Sequence, residues 1–191
     1  MTGLVVVSTG EARSADLAGY SRNGPSFYAD PVAWLVTAAI TSAIERGPRD
    51  VTAAADETAV IVLSRGCTTP TMRTIAGTAG RGMVSPLRFA GANPGVLAGL
   101  PCITHALRGP SLVLATPIAE GLAVAAVVAG SWLVTGQARY VLVAAHERDA
   151  AGHAVRCVLL RAARGAEPGD RLGALATSQA LITATAARAT R

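Results

Sequence analysis

A helix predicted over Ala119–Thr135 is apolar on all sides, and it constrains this chain more than any other feature. Its centre, Leu122–Val134, contains one hydroxyl residue, Ser131, and no charge. A membrane-spanning helix needs about 20 consecutive apolar residues, so this shorter run is better explained as a helix surrounded by protein. The composition, 51% hydrophobic and 15% charged, is unusually apolar for a soluble monomer. The chain therefore has to bury this helix against its own layers or against a partner.

Short apolar runs alternate with helical patterns along the chain. Runs of the type buried on both faces predict strands at Leu4–Ser8, Thr58–Ser64, Ser111–Ala115, Tyr140–Ala145 and Ala154–Arg161. Helical spacing predicts helices from Asp30-Pro31 to about Arg46, over Thr68–Gly82 and over Asn93–Leu107. Gly10–Ser26 is predicted as a loop, and Leu172–Ile182 as one more strand. This order indicates a single α/β domain with a mixed sheet.

Charge and motifs argue against several functional classes. The formal charge is +5, but the 17 basic residues, all arginine, are scattered singly, which disfavours nucleic-acid binding. No signal peptide or membrane span is recognised, so a cytoplasmic protein is expected. No Gly-rich nucleotide motif is present, and Cys67, Cys102 and Cys157 lie too far apart for a zinc motif. Neither a cofactor nor a metal is expected.

A few residues could carry chemistry of their own. Cys67 follows a strand, where a helix N-terminus could lower its pKa, but a structural cysteine in a helix-entry turn is the favoured interpretation. Cys102 and His105 have the i, i+3 spacing of a shared helix face, without a nearby carboxylate or oxyanion donor. His146-Glu147, at a strand end, could transfer a proton or support the site by hydrogen bonding. His153 is expected in an exposed turn.

Several segments, in order, resemble the β-ketoacyl synthases. Gly109-Pro110-Ser111 followed by Thr116-Pro117-Ile118 and Gly121 is similar to the strand and nucleophile turn of those condensing enzymes. The other similar segments are Ser85–Phe89 with Asn93-Pro94, Gly136–Arg139, Ala144–Glu147 and Val155–Leu160. At the position of the nucleophilic cysteine stands Ile118, whose side chain cannot attack a thioester. Isoleucine also cannot donate a hydrogen bond to an oxyanion, which disfavours decarboxylation.

The resemblance implies a thiolase-like fold, which has two similar βαβαβαββ halves. Residues 1–182 are similar to the N-terminal half, and 183–191 are expected to be a frayed tail. The two histidines that the family's second half supplies have no counterpart here. We therefore expect no condensing activity from the chain alone.

Three functions remain open on the sequence. The first is a non-catalytic subunit that assembles with a condensing enzyme of polyketide or fatty-acid biosynthesis, shaping the acyl tunnel or docking an acyl carrier protein. Its partner would be a full-length ketosynthase or a second copy of this chain. The second is a repurposed acyl-thioester enzyme that uses Cys67, Cys102, His105, His146 or Glu147. The third is a small-molecule binding or regulatory protein.

Overall fold

The computed structural model describes residues 4–21 and 28–163, which form one sheet between two layers of helices. The strands are β1 Leu4–Ser14, β2 Thr58–Ser64, β3 Ser111–Leu114, β4 Tyr140–Asp149 and β5 Gly152–Ala162. The helices are α1 Pro31–Glu45, α2 Asp50–Ala53, α3 Thr69–Ala79, α4 Pro86–Gly91, α5 Val96–Thr104 and α6 Ile118–Val134. Omitting the minor helices, the order is βαβαβαββ, which confirms the expected fold class.

The strand order across the sheet is β1-β5-β4-β2-β3. β2 pairs in parallel with β3 on one side and with β4 on the other. β5 runs antiparallel to both of its neighbours, so the other strands all point the same way. The carboxyl ends of β2, β3 and β4 therefore meet at one edge of the sheet. Open α/β sheets bind ligands at this edge, where connections from a central strand leave on opposite faces.

Each face of the sheet has its own hydrophobic core. Val60 and Val62 of β2 pack in the core that includes α1 and α5. Ile61 and Leu63, which alternate with them, pack against α6. Successive side chains of a strand point to opposite faces, so a fully buried strand has to be apolar at nearly every position. The unbroken run Thr58–Ser64 meets that requirement, and all seven residues are buried.

β1 is longer than the sequence predicts. The prediction of a loop beginning at Gly10 is wrong, because β1 continues to Ser14 and pairs antiparallel with β5. The ladder to β5 satisfies the backbone of this polar segment, and nothing local reveals that pairing. Gly10 also lies close to α1, since a Cβ there would come within 2.1 Å of the Ala39 carbonyl oxygen. The glycine therefore permits close packing of strand and helix.

Other boundaries differ more modestly. β4 extends to Asp149, four residues past the predicted end, because it forms a hairpin with β5. The predicted helix Thr68–Gly82 is shorter, as α3 ends at Ala79, and the separate helix α4 was not predicted. The predicted strand Leu172–Ile182 and the tail 183–191 lie outside the described residues. Within the described residues, none of the helices is long and apolar enough to cross a membrane.

Among the described residues, α6 is covered on one side only. Leu122, Ala125, Ala126, Ala129 and Leu133 are buried against the sheet. On the outward side, Val124 and Val127 are 49% and 60% exposed. The sheet thus meets the expectation that protein surrounds this helix on one face, and the described part of the chain leaves the other face open.

Asp30 joins two helices and gives a first prediction. Its buried carboxylate accepts from Val32 N–H at 2.8 Å in α1 and from Thr71 N–H at 2.9 Å in α3. We expect Asp30→Ala to destabilise the fold by about 2–4 kcal/mol, because two helix N-termini lose a cap in a buried place. Denaturant unfolding followed by circular dichroism measures this loss.

The matched variant is Asp30→Asn. Its single carbonyl oxygen can retain one of the two caps, so its loss should fall between zero and that of the alanine variant. Equal stability of wild type and Asp30→Ala would contradict the bridging role.

Candidate functional site

A cavity of about 440 Å³ lies at the carboxyl ends of β2, β3 and β4. The segments that line it come from the end of β2, the start of α3, the turn between β3 and α6, and the β4–β5 hairpin. Its residues are Val32, Arg65, Gly66, Cys67, Thr69, Pro70, Arg73, Pro117, Ile118, His146, Glu147, Arg148 and His153. The volume is within the range of about 300–1,000 Å³ that small-molecule sites occupy.

Ile118 is the first residue of α6 and lines this cavity. The chain leaves β3, turns at Thr116 and Pro117, and enters the helix. Pro117 is the N-cap residue, and no side chain of the described residues caps this end. Gly121, one turn later, packs closely, because a Cβ there would lie 2.7 Å from the Leu63 side chain and 2.8 Å from the Thr116 side chain. The turn has the strand–turn–helix form of an elbow, and the first side chain of the helix is apolar.

A chain of hydrogen bonds runs from the end of β2 to the wall of the cavity. Ser64 Oγ lies 2.8 Å from His146 Nδ1. His146 Nε2 lies 3.0 Å from His153 Nδ1, and the two rings are nearly parallel, at 6°. The expectation of an exposed turn at His153 is wrong. This residue is half-buried at the start of β5, because the hairpin places it beside β4.

The direction of these bonds depends on the Ser64 hydroxyl. Its Oγ accepts the N–H of Cys67 at 2.9 Å. Its hydroxyl donates either to Nδ1 of His146 or to the Cys67 sulfur, since both lie within reach. When it donates to His146, that residue carries its proton on Nε2 and donates to Nδ1 of His153, whose own proton is then on Nε2.

Both histidines are held in their neutral form. Burial, with a smaller contribution from His153, lowers the pKa of His146 to about 4. Burial and the neighbouring Arg148 lower the pKa of His153, while Asp30 acts in the opposite sense. Neutral imidazoles can both donate and accept, which the hydrogen-bond chain requires.

Cys67 lines the cavity but has little nucleophilic character. Its thiol donates to the Ser64 carbonyl at 2.9 Å. Burial is the main cause that raises its pKa, and Asp30 adds to the effect. Its backbone lies in the left-handed region, with φ of 38°, which is uncommon for a residue other than glycine. The thiol is therefore a protonated group held in a tight turn between β2 and α3.

Cys102 and His105 lie outside the cavity. Thr41 Oγ1 donates to the Thr37 carbonyl and lies 2.8 Å from His105 Nε2, so the imidazole N–H donates to Thr41. Cys102 packs against the core between α1 and α5, and burial raises the pKa of its thiol. Neither residue reaches the other suspected groups. The structure thus brings together Cys67, Ile118, His146 and Glu147 and separates this pair from them.

Four titratable residues of the lining were missed as site residues: Arg65, Arg73, Arg148 and His153. Arg65 directly follows β2, and Arg148 lies near the end of β4. Because both strands end at the cavity, this position could have identified the two arginines as site residues. Arg73 lies on α3 and carries no comparable sequence signal. Glu147 supplies a carboxylate to the lining, and its Oε2 lies 3.9 Å from Nη1 of Arg156. In the described ranges, 4–21 and 28–163, no cluster of three or more metal-ligating side chains occurs.

Several solved structures with the same architecture are described as ketosynthases. The ishigamide ketosynthase/chain length factor aligns with a TM-score of 0.69 at 15% identity, over 86% of this chain and 63% of its own. A ketosynthase in complex with its chain length factor from Xenorhabdus doucetiae aligns with a TM-score of 0.62 at 13% identity, over 85% and 80%. This chain has the thiolase-like fold of the ketosynthases.

A third structure with this fold is a type II polyketide synthase acyl-carrier protein in complex with its ketosynthase. It aligns with a TM-score of 0.63 at 14% identity, over 93% of this chain and 65% of its own. The chain thus spans less than two thirds of two of these structures. No protein-family model and no curated protein matches the sequence.

The buried histidine predicts how stability depends on pH. His146 is neutral in the fold, whereas in the unfolded chain it binds a proton below its ordinary pKa of 6.5. The contribution of the neutral His146 side chain to the free energy of unfolding is therefore complete above pH 6.5 and is lost as the pH falls towards 4. We expect a decrease of up to about 3 kcal/mol in the free energy of unfolding from this group.

Urea unfolding at pH 7 and pH 4.5 tests this expectation, with His146→Asn as the variant. Asparagine retains a polar group near the Nδ1 position but does not titrate. The wild type should lose more stability than the variant between the two pH values. Equal losses of stability in the wild type and the variant would show that His146 is not buried as a neutral imidazole.

Proposed function

We propose that this chain is a non-catalytic ketosynthase-like subunit that assembles with a condensing enzyme of polyketide biosynthesis. The observation that carries the proposal is Ile118 at the start of α6, inside the cavity at the carboxyl edge of the sheet. The elbow turn is retained there while its side chain cannot form an acyl-enzyme. A chain with this fold and no nucleophile at the elbow is useful to a condensing enzyme as a partner.

The open face of α6 supports assembly. Ala123, Val124 and Val127 form an exposed apolar surface on a helix whose other side is buried. Covering the two valines alone would contribute about 1 kcal/mol each, because about half of each side chain is already out of water. A second exposed apolar surface, on and between α3 and α4, consists of Met72, Met83, Val84, Leu87 and Phe89. Exposed apolar surface of this kind is typical of interaction sites.

The structural neighbours indicate what kind of partner fits. Two of them are ketosynthase and chain length factor assemblies, and a third is a complex with an acyl carrier protein. We therefore favour a full-length ketosynthase as the partner, with a second copy of this chain as the alternative. Docking of an acidic carrier protein agrees with the net positive charge of the chain. A role in fatty-acid biosynthesis is the other pathway that the fold allows.

The alternative of an acyl-thioester enzyme that uses a cysteine has less support. The Cys67 thiol is bonded and has a raised pKa, and Cys102 is outside the cavity. A thiolate is the reactive form of cysteine, so neither environment favours acyl transfer.

If this chain assembles through α6, a charge introduced on the outward face of that helix should weaken the complex. Co-expression with the ketosynthase of the same gene neighbourhood, followed by affinity capture and light scattering, should give a complex of defined mass. Val127→Glu should weaken it at least tenfold, because a carboxylate would be desolvated in the interface. Gln137→Glu adds the same charge at an exposed position just beyond α6 and should leave the complex intact.

The absence of any complex with wild-type protein would refute the proposal. A homodimer of wild-type protein that Val127→Glu dissociates would identify a second copy as the partner instead.

A cysteine introduced at the elbow, in the variant Ile118→Cys, should have a more reactive thiol than an ordinary cysteine. A thiol at the N-terminus of the 17-residue helix α6 experiences the positive end of the helix dipole, which lowers its pKa. At pH 7 we expect alkylation at this position to be about tenfold faster than at Cys102, as measured by peptide mass mapping. Ser131→Cys, exposed and far from the N-terminus of the same helix, is the control for access alone. Equal rates in the two variants would mean that the turn does not activate a thiol.

A further inference from the structure

The described lining of the cavity contains three arginines and one carboxylate. Arg65, Arg73 and Arg148 have no ion-pair partner among the described residues. The carboxylate, Glu147, is near Arg156, and the buried Asp30 acts electrostatically on His153. The three guanidinium groups are exposed, so solvent screens their mutual repulsion, but their summed positive potential favours an anion in the cavity.

A directional donor accompanies these charges. When Ser64 donates to His146, the hydrogen bonds to His153 leave the N–H of that ring on Nε2, with no acceptor among the described residues. His153 is itself part of the lining. A neutral N–H donor beside guanidinium groups is suited to a carboxylate or phosphate oxygen.

The remaining lining is apolar. Val32, Pro70, Pro117 and Ile118 face the same cavity as the arginines. Ligand sites combine an apolar wall with a few polar groups that set orientation. The isoleucine that cannot react with a thioester can therefore contact the hydrocarbon part of a ligand.

We infer that this cavity reversibly binds a small organic anion with an apolar body, held at its head by Arg65, Arg73, Arg148 and the His153 N–H and at its body by Ile118. The head group is a carboxylate or a phosphate monoester. Binding is non-covalent and does not depend on assembly with a ketosynthase. A chain that forms no complex could still bind the anion, and a subunit that assembles could still have an empty cavity.

Isothermal titration calorimetry on the purified chain tests the inference, with hexanoate and hexyl phosphate as probes. Hexanol and hexylamine have the same body without the negative charge. Wild-type protein should bind at least one of the anions, and the two controls at least tenfold more weakly. The tighter of the two anions identifies the preferred head group.

Variants that each remove one arginine charge test the part played by the cavity arginines. Arg65→Gln, Arg73→Gln and Arg148→Gln should each weaken anion binding about tenfold, the loss expected for one charge-assisted hydrogen bond. Arg108→Gln removes the same charge from an exposed arginine outside the cavity and should change affinity less than twofold. Ile118→Asp should abolish binding, since it places a carboxylate in the apolar wall. Unchanged thermal unfolding confirms that each variant is folded.

Three results would overturn the inference. These are no binding of either anion by wild-type protein, equal binding of hexylamine, and unchanged affinity in a variant that lacks all three arginines.

Discussion

Burial of β2 on both faces is the constraint on which the rest of the structure depends. Because every residue of Thr58–Ser64 is buried, the strand needs a helical layer above it and another below it. Its parallel neighbours then have to connect across those layers, which brings the ends of β3 and β4 to the edge where β2 ends. The cavity is a consequence of this topology, and the residues after each strand become its walls.

The buried polar side chains near the cavity are satisfied by hydrogen bonds. Asp30 is fully buried, yet it accepts two helix N–H groups, and this accounts for its presence in the core. Ser64 and His146 are also buried and bonded to each other. His146 in turn contacts His153, which lines the cavity. A hydrogen-bond network that begins in the core therefore ends at the cavity wall.

Most of the fold could be predicted from local patterns, whereas the site could be predicted only in part. The apolar run of β2 and the Asp30-Pro31 start of α1 each specify their element without help from the rest of the chain. β1 beyond Gly10 depends on pairing with β5, which is distant in sequence. The expectation that His153 is exposed was wrong for a similar reason. His153 contacts His146 only because the hairpin pairs β4 with β5, and the local sequence does not reveal that contact. The spacing of Cys102 and His105 suggested a shared helix face, but α5 ends at Thr104 and neither residue lines the cavity.

Ile118 at the start of α6 lies in two environments. Its side chain packs partly against the α6 core and also lines the cavity. This packing makes the start of α6 an apolar part of a lining that also contains charged residues. The outward face of the same helix is not covered by the described residues. Under the two proposals made above, one helix contacts a ligand at its N-terminus and a second protein along its length, and neither contact requires a covalent step.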